Sequence, residues 1–597
     1  MDRALCLQLG YLDMLLSSSS PTAASSDDES TIAGKANSVE QEQILICWCF
    51  AHIYQCSRDR RVRSFEEMGQ TDLVPILVKI LKRYTTSSSC SRSTNNSTIV
   101  AVERQQHDTH KTEATNKFNI LAAVLQLLRI FARVDLKAKS TLLRWKDGRL
   151  MSVIVNLCSE NQALSENEQT SVDSQHFEVV GEVFRFFKDL SFRLQESDKQ
   201  EMYHRVSNLM IQYTAGKDSK STDLSFKETI MEAIAAVYWN LATSSKLSLV
   251  MGRDPRIMTS LGNMLRYRST TCSDEEHVKI KRNALSALGN IMAALTVPLP
   301  IHVNEDTHEL HQYQELSSQE WICQTLILLL TKESDKDIQR RAMRTIRCMS
   351  SCSWGQNLLL GGMDASAITS QAKELEACLT MMLRRDSVYD VPTRIQACET
   401  IGSLTEHETF LSWIGLPLES CLVQMVECMG DEKHYKNQES LVAAACRALI
   451  LCRERGQWNR ELDLPSESFF GSLLACSKLE PETTHPPIAK LLLQIAKDAE
   501  RVSGDKKQGR QKPSNILSNP LLDTLTELLQ PVGPSFDESR SYVLEMLQLF
   551  LVNEANKRIL VENEGLLTAL VGFALVTIQD DKKKSAKQII MQLVPEL

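Results

Sequence analysis

Ala284-Leu285-Ser286-Ala287-Leu288-Gly289-Asn290-Ile291 is the stretch whose reading decides the fold. The same small-and-apolar spacing returns in Ala235-Ala236-Val237-Tyr238-Trp239-Asn240-Leu241, in Ala342-Met343-Arg344-Thr345-Ile346 and in Ala397-Cys398-Glu399-Thr400-Ile401-Gly402-Ser403-Leu404. Matched positions Ile234, Ala284, Ala342, Ala397 and Ala445 follow one another at roughly 50 to 60 residues, the period of a helical solenoid with loops of variable length. Small residues let one helix approach its neighbours, and the larger apolar ones fill the space between them. A chain built this way is a binding surface before it is anything else.

Composition agrees. Hydrophobic residues make up 43% of the 597, which is enough for a continuous core, while 6% aromatics with 22 Gly and 16 Pro leave little for a β-rich fold. The formal net charge is −8, and Lys and Arg are scattered rather than gathered into a stripe. Nucleic acid is therefore not the expected ligand, because neutralising phosphates calls for concentrated positive charge. The 17 Cys sit mostly in apolar helical runs, as Cys398, Cys446 and Cys452 do, the usage of small buried hydrophobes in a reducing compartment. Leu566 to Ile578 is the longest nearly apolar run, shorter than the ~20 residues a membrane-spanning helix needs. The N-terminus lacks the basic-then-apolar order of a signal peptide. Cytoplasmic and/or nuclear residence is the expectation.

Along the chain, residues 1–16 read as a short amphipathic helix and 17–40 as a disordered Ser/Asp-rich segment, with Ser25, Ser26 and Ser30 in acidic context. Helical periodicity fills 41–597, interrupted by mobile insertions at about 85–115, 297–316 and 501–515. The expected architecture is all-α, with about eleven repeat-like units.

The residues resemble armadillo repeats. In that family a stretch similar to Asn-Arg-x-x-Ile-x-x-x-Gly-x-(Ile/Leu)-x-x-Leu-Val precedes a long third helix similar to Ala-x-x-Ala-Leu-x-Asn-Leu. Asn556 to Val571 and Glu66 to Val78 match the first half, and Arg282 to Ile291, Thr393 to Leu404 and Ser440 to Cys452 match the third helix; HEAT repeats are the close alternative. The resemblance implies a right-handed armadillo-type α-solenoid, with Gly69 or Gly565 permitting the turn between short helices. In importin-α and β-catenin, members of this family, extended peptides lie along successive third helices. An Asn on each helix bonds the peptide backbone, and in importin-α a Trp one turn earlier packs on side chains. Here Asn240 and Asn290 take the Asn position, preceded by Ala236 and Ser286 rather than Trp; the later pairs read Arg344 and Cys348, Glu399 and Ser403, then Gln588 and Gln592. The ladder is not sustained, which argues against an importin-α-type receptor and for a locally specific groove of mixed charge. Asn240, Ser286, Asn290, Arg344, Glu399 and Ser403 are the candidate partner-binding residues.

Chemistry has little to stand on. Cys47, Cys49, His52 and Cys56 lie within one apolar helical run, whereas tetrahedral zinc draws ligands from two elements, so core packing is the expectation. His308-Glu309-Leu310-His311 lacks the spacing of a zinc-protease helix. No phosphate-cradling, dinucleotide or nucleophile-elbow motif occurs. Lys506 to Lys512 and Lys582-Lys583-Lys584 are short basic runs of the kind that solvent usually covers. The expected function is a non-enzymatic, cofactor-free scaffold or adaptor, a monomeric rod that binds a protein partner on its concave face without entering a membrane. The alternatives are an adaptor for a small GTPase, kinase or chaperone, and a divergent nuclear-transport cargo binder.

Overall fold

The computed structural model describes residues 77–78, 81–82, 103–134, 136–159, 172–215, 224–267, 274–296, 321–360, 370–407, 410, 415–429, 438–455, 466–504, 517–530, 537–577 and 579–594. Among them there are helices and no strand. The segments expected at 1–16, 17–40 and 297–316 lie outside these residues, as do the Cys47 to Cys56 cluster, His302, His308 and His311, the 506–512 basic run and Gly69. Two compact units divide the chain, Met1–Leu295 and Thr296–Leu597.

The first unit comprises α1 (Glu103–Val134), α2 (Leu136–Arg144), α3 (Arg149–Ser159), α4 (Val172–Ser191), α5 (Glu196–Thr214), α6 (Leu224–Leu241), α7 (Ser245–Arg253), α8 (Pro255–Arg266) and α9 (Asp274–Leu295). The long helices α1, α4, α6 and α9 pack each on the next, while α3, α5 and α8 stack beside them. Each long helix is a third helix in the armadillo sense, and α7, α8 and α9 make one full three-helix layer. Helix α1 begins at Glu103, inside the stretch expected as an insertion to residue 115. Its first turns, Glu103-Arg104-Gln105-Gln106, consist of good helix formers that carry no apolar stripe, so periodicity alone missed them.

The second unit holds α10 (Trp321–Lys332), α11 (Lys336–Ser350), α12 (Ser353–Leu360), α13 (Ser370–Leu383), α14 (Val391–Leu404), α15 (Gly415–Met429) and α16 (Glu439–Arg455). It continues with α17 (Glu467–Ser477), α18 (Pro481–Gly504), α19 (Asn519–Leu529), α20 (Asp537–Phe550), α21 (Glu554–Glu562), α22 (Glu564–Val576) and α23 (Asp580–Leu593). Helices α11, α14, α16, α18, α20 and α23 form the third-helix row; α13, α15, α17, α19 and α22 form the second-helix row.

Local chemistry sets the boundaries. Asp335 starts α11 by accepting from the backbone N–H of Asp337 and Ile338, and Asp390 starts α14 by accepting from that of Thr393, with Pro392 in the first turn. Such caps satisfy donors that a helix start leaves without partners. The turn expected at Gly565 is made instead at Asn563, where α21 and α22 meet at 88°. Asn563 has φ −91° and ψ 91°, and its side chain accepts from Leu566 N–H. Gly565 follows inside the first turn of α22, where an added Cβ would meet only ordinary contacts, at 3.5 Å from Asn563 Oδ1. An extended N-cap already turns the chain sharply, so no left-handed residue is required. Gly148 is the glycine that conformation demands: it has φ +82° and follows Lys146 and Asp147, both also at positive φ, in the turn from α2 to α3.

Both cores are mostly aliphatic, with Phe131, Phe184, Phe186, Phe187 and Tyr238 buried among them in the first unit. Ala284, Leu285, Ala287, Leu288 and Ile291 of the opening phrase are wholly buried, and so are Ala342, Met343 and Ile346, and Ala397, Cys398, Ile401 and Leu404. At ~1.5–3 kcal/mol per buried large apolar side chain, these contacts between layers dominate the stability. Cys158, Cys323, Cys378, Cys398, Cys446, Cys452 and Cys476 are buried thiols outside any disulfide, acting as small core residues.

Candidate functional site

In each layer the third helix buries most of its surface and leaves one stripe toward solvent. On α6 that stripe includes Glu232 and Asn240, with half-exposed Trp239 beside it. On α9 it includes Asn290, and on α11 Arg340, Arg344 and Arg347; on α14 it includes Glu399 and Ser403. Five of the six candidate residues therefore lie on third-helix stripes, while Ser286 is buried one turn before Asn290.

The stripes of the first unit are tied to one another. Arg129 of α1 meets Glu182 of α4 at 2.6 Å and Asp189 at 3.0 Å, and Arg133 meets Asp189 at 2.9 Å. Lys188 of α4 reaches Glu232 of α6 at 2.8 Å, and Asn283 of α9 donates to the same carboxylate at 3.3 Å. Asn240 is part of this lacing: its Nδ2 donates to Ser191 Oγ at 2.9 Å and to the Lys188 carbonyl at 3.5 Å. It thereby holds the C-terminal end of α4. Ser286 is buried and its hydroxyl donates to the Arg282 carbonyl at 2.8 Å, a bond within its own helix. Asn290 is half-buried one turn further on.

In the second unit the third-helix face opens into a groove of about 210 Å³ between α11, α14 and α16. Gly402 of α14 with Ala444 and Ala448 of α16 line it with small residues, and Leu451 adds an apolar edge. The helices approach closely here, since a Cβ on Gly402 would come within 3.0 Å of Leu451 Cδ1. Arg347 and Glu399 also line the groove, paired at 2.6 Å. Arg447 of α16 lines it as well; it is exposed and makes no ion pair or hydrogen bond among the described residues. Ser351 and Ser403 add hydroxyls, and that of Ser403 donates to the Glu399 carbonyl at 3.1 Å. Of the candidate residues, Glu399 and Ser403 are brought together in this groove. Arg344 is exposed on α11 and outside its lining.

Electrostatics set the character of this face. Burial pushes the Cys398 thiol beneath the groove up to about 12, so it is no nucleophile at neutral pH. Burial would raise the Asp390 carboxyl, but hydrogen bonds from Thr393 and Arg340 outweigh it and hold the group below its usual range. Arg340 lies 2.5 Å from Asp390. Behind the face, Arg453 bridges buried Glu419 at 3.1 Å and Asp498 at 3.5 Å, and burial leads the causes that raise both carboxyls. Among the described residues no group of His, Cys, Asp or Glu converges to hold a metal ion, and no single helix is long and apolar enough to cross a membrane.

Sequence reasoning missed Arg347, Gly402, Ala444, Arg447, Ala448 and Leu451. The run Ala443-Ala444-Ala445 followed by Arg447 was the available signal: small residues beside an exposed arginine on a third helix.

No family model and no curated protein sequence matches the chain. Solved structures do. The SYS-1/POP-1 crystal complex superposes with a TM-score of 0.51 over 93% of this chain and 98% of that one, at 11% identity. SYS-1 alone gives 0.45 at 10% identity over 93% and 98%. A beta-catenin structure, from work on a phosphorylation switch in its interaction with cadherin, gives 0.43 at 12% over 91% and 99%. Together with the rows of second and third helices, the first likeness defines the class: the chain has the fold of an armadillo-type α-solenoid protein.

Proposed function

We propose that the protein is a non-enzymatic interaction scaffold that docks an extended segment of a protein partner across α11, α14 and α16. The groove carries this reading, because it combines room over Gly402, Ala444 and Ala448 with a cation, Arg447, that the fold itself does not use. Armadillo-type folds host such docking on their third-helix rows, and the structure that shares this fold was solved as a SYS-1/POP-1 complex. Arg447 would take a carboxylate or carbonyl of the segment, the Arg347–Glu399 pair would fix its register, and Leu451 would meet an apolar side chain. The first unit contributes less, because Asn240 already donates to Ser191 and the carboxylates around it already pair with Arg129 and Lys188. Free buried cysteines support residence in the reducing cytoplasm or nucleus.

Selection of displayed random extended peptides against the full chain tests the reading. Selected peptides are expected to photo-crosslink from a benzophenone residue placed at 451 and to bind roughly tenfold more weakly to the Arg447→Glu variant. Peptides that crosslink elsewhere and ignore Arg447→Glu would overturn it.

A further inference from the structure

The connection from α13 to α14 carries a run that the groove does not use, Arg384-Arg385-Asp386-Ser387-Val388. The pattern Arg-Arg-x-Ser occurs once in the 597 residues. Arg384, Arg385 and Asp386 are exposed and Ser387 is half-exposed. Val388 is 76% exposed, so its side chain adds nothing to the core.

What holds this connection leaves the serine hydroxyl available. Tyr389 donates its phenol to the Leu330 carbonyl at 2.9 Å and Asp390 caps α14, so the chain is fastened just after the run. On the near side Arg394 of α14 donates to the Arg384 carbonyl at 3.4 Å. Between these ties the backbone keeps one hydrogen bond, from Ser387 N–H to the Arg384 carbonyl at 3.2 Å. The Ser387 hydroxyl accepts from Tyr389 N–H at 3.4 Å and donates to no group among the described residues. The other described hydroxyls with an arginine three residues before them are engaged: Ser152, Thr259 and Ser350 lie in helices and donate to the carbonyls of Gly148, Pro255 and Arg347 at 3.2, 2.8 and 2.8 Å.

This difference decides which hydroxyl a protein kinase can reach. Such an enzyme holds its substrate as an extended segment, so that the hydroxyl meets the γ-phosphate while flanking side chains enter separate pockets. Drawing out a helical hydroxyl means opening its layer, whereas the 384–388 run gives up one backbone bond. Guanidinium forks suit carboxylates of an enzyme, and an outward valine suits an apolar pocket.

We propose that Ser387 is a phosphorylation site for a basophilic serine kinase, one that reads Arg384 and Arg385 before the serine and Val388 after it. In the transfer Ser387 Oγ bonds to the γ-phosphorus of Mg²⁺-bound ATP. The bond from that phosphorus to the bridging β,γ oxygen breaks, ADP leaves, and the hydroxyl proton passes to the carboxylate base of the kinase. The product carries a phosphate three residues before Asp390, the cap of α14 that also holds Arg340 of α11. The site stands whatever occupies the groove.

Incubation of the folded full chain with ATP, Mg²⁺ and the catalytic subunit of cyclic-AMP-dependent protein kinase, followed in time by peptide mass mapping, tests the proposal. Ser387 is expected to be modified at an initial rate within roughly tenfold of that of a free peptide spanning 381–391, since one backbone bond is lost. The rate is expected to fall roughly tenfold or more in Arg384→Gln/Arg385→Gln and in Val388→Asp. These side chains are exposed, so both variants keep their fold, which unchanged thermal melts verify. A folded chain left unmodified at Ser387 overturns the proposal, whether or not the free peptide is turned over, as does modification that begins only when denaturant unfolds the chain. Equal rates in the unaltered chain and in either variant also overturn it, since those residues are then not what the enzyme reads.

Discussion

The third-helix face of the first unit and the groove over α14 and α16 in the second use charge differently. In the first, Arg129, Glu182, Asp189, Lys188, Glu232 and Asn283 are spent on one another across four helices, and Asn240 closes the end of α4. In the second, small residues replace such a lattice over α14 and α16, and Arg447 is left outward beside the Arg347–Glu399 pair. On the proposed reading, exposure on a third helix does not by itself mark the docking face. What distinguishes a docking surface from a structural one is whether its polar groups have already found partners inside the fold.

The contrast can be broken by substitution. The largest effect is expected behind the second unit's face, at Arg453. Arg453→Met leaves Glu419 buried without its cation and should cost about 3–5 kcal/mol, read as a lower denaturation midpoint with faster hydrogen exchange in α15, α16 and α18. Arg347→Met at the half-exposed pair in front should cost less than about 1 kcal/mol. Asn240→Ala should destabilise the first unit by about 1 kcal/mol through the lost bond to Ser191. Ser403→Ala, whose hydroxyl bonds only within α14, should be nearly neutral; equal effects at the two positions would erase the distinction between the faces. A further effect is one of pH. The folded Asp390 carboxyl is held below its unfolded value, so its contribution is complete above about pH 4, the unfolded range, and is lost as pH falls further through the folded value. Melting of the Asp390→Asn variant should accordingly decline less than that of the unaltered protein between pH 5 and pH 3.

The layers were legible because stacking repeats one packing problem. Ala284, Ala287, Leu288 and Ile291, or Ala397, Ile401 and Leu404, face the same neighbours in each layer and so recur in register. The turn at residue 563 was less legible, since Asn and Gly both mark turns and only the backbone angles decide which acts. Asn563→Ala should cost about 1 kcal/mol, while Gly565→Ala should stay within about 0.5 kcal/mol; the reverse order in denaturant melts would restore the glycine. Helix α18 runs through Pro486 and Pro487, a residue type that ordinarily breaks a helix interior. The candidate site was half legible. Position on a repeat points to Glu399 and Ser403, but the partner that makes Glu399 part of a groove, Arg347, lies one layer away, and the occupation of Asn240 by Ser191 depends on the neighbouring layer as well. Pairings between layers follow from three-dimensional offset, which a one-dimensional spacing does not encode.

The buried thiols have a practical consequence. Burial pushes Cys158 in the first unit and Cys398, Cys446 and Cys452 in the second well above the ordinary thiol range, so each stays protonated and screened from alkylating reagents until its own layer opens. Timed labelling read by mass spectrometry thus turns the chain into a set of clocks, one on α3, one on α14 and two on α16, that report where opening begins.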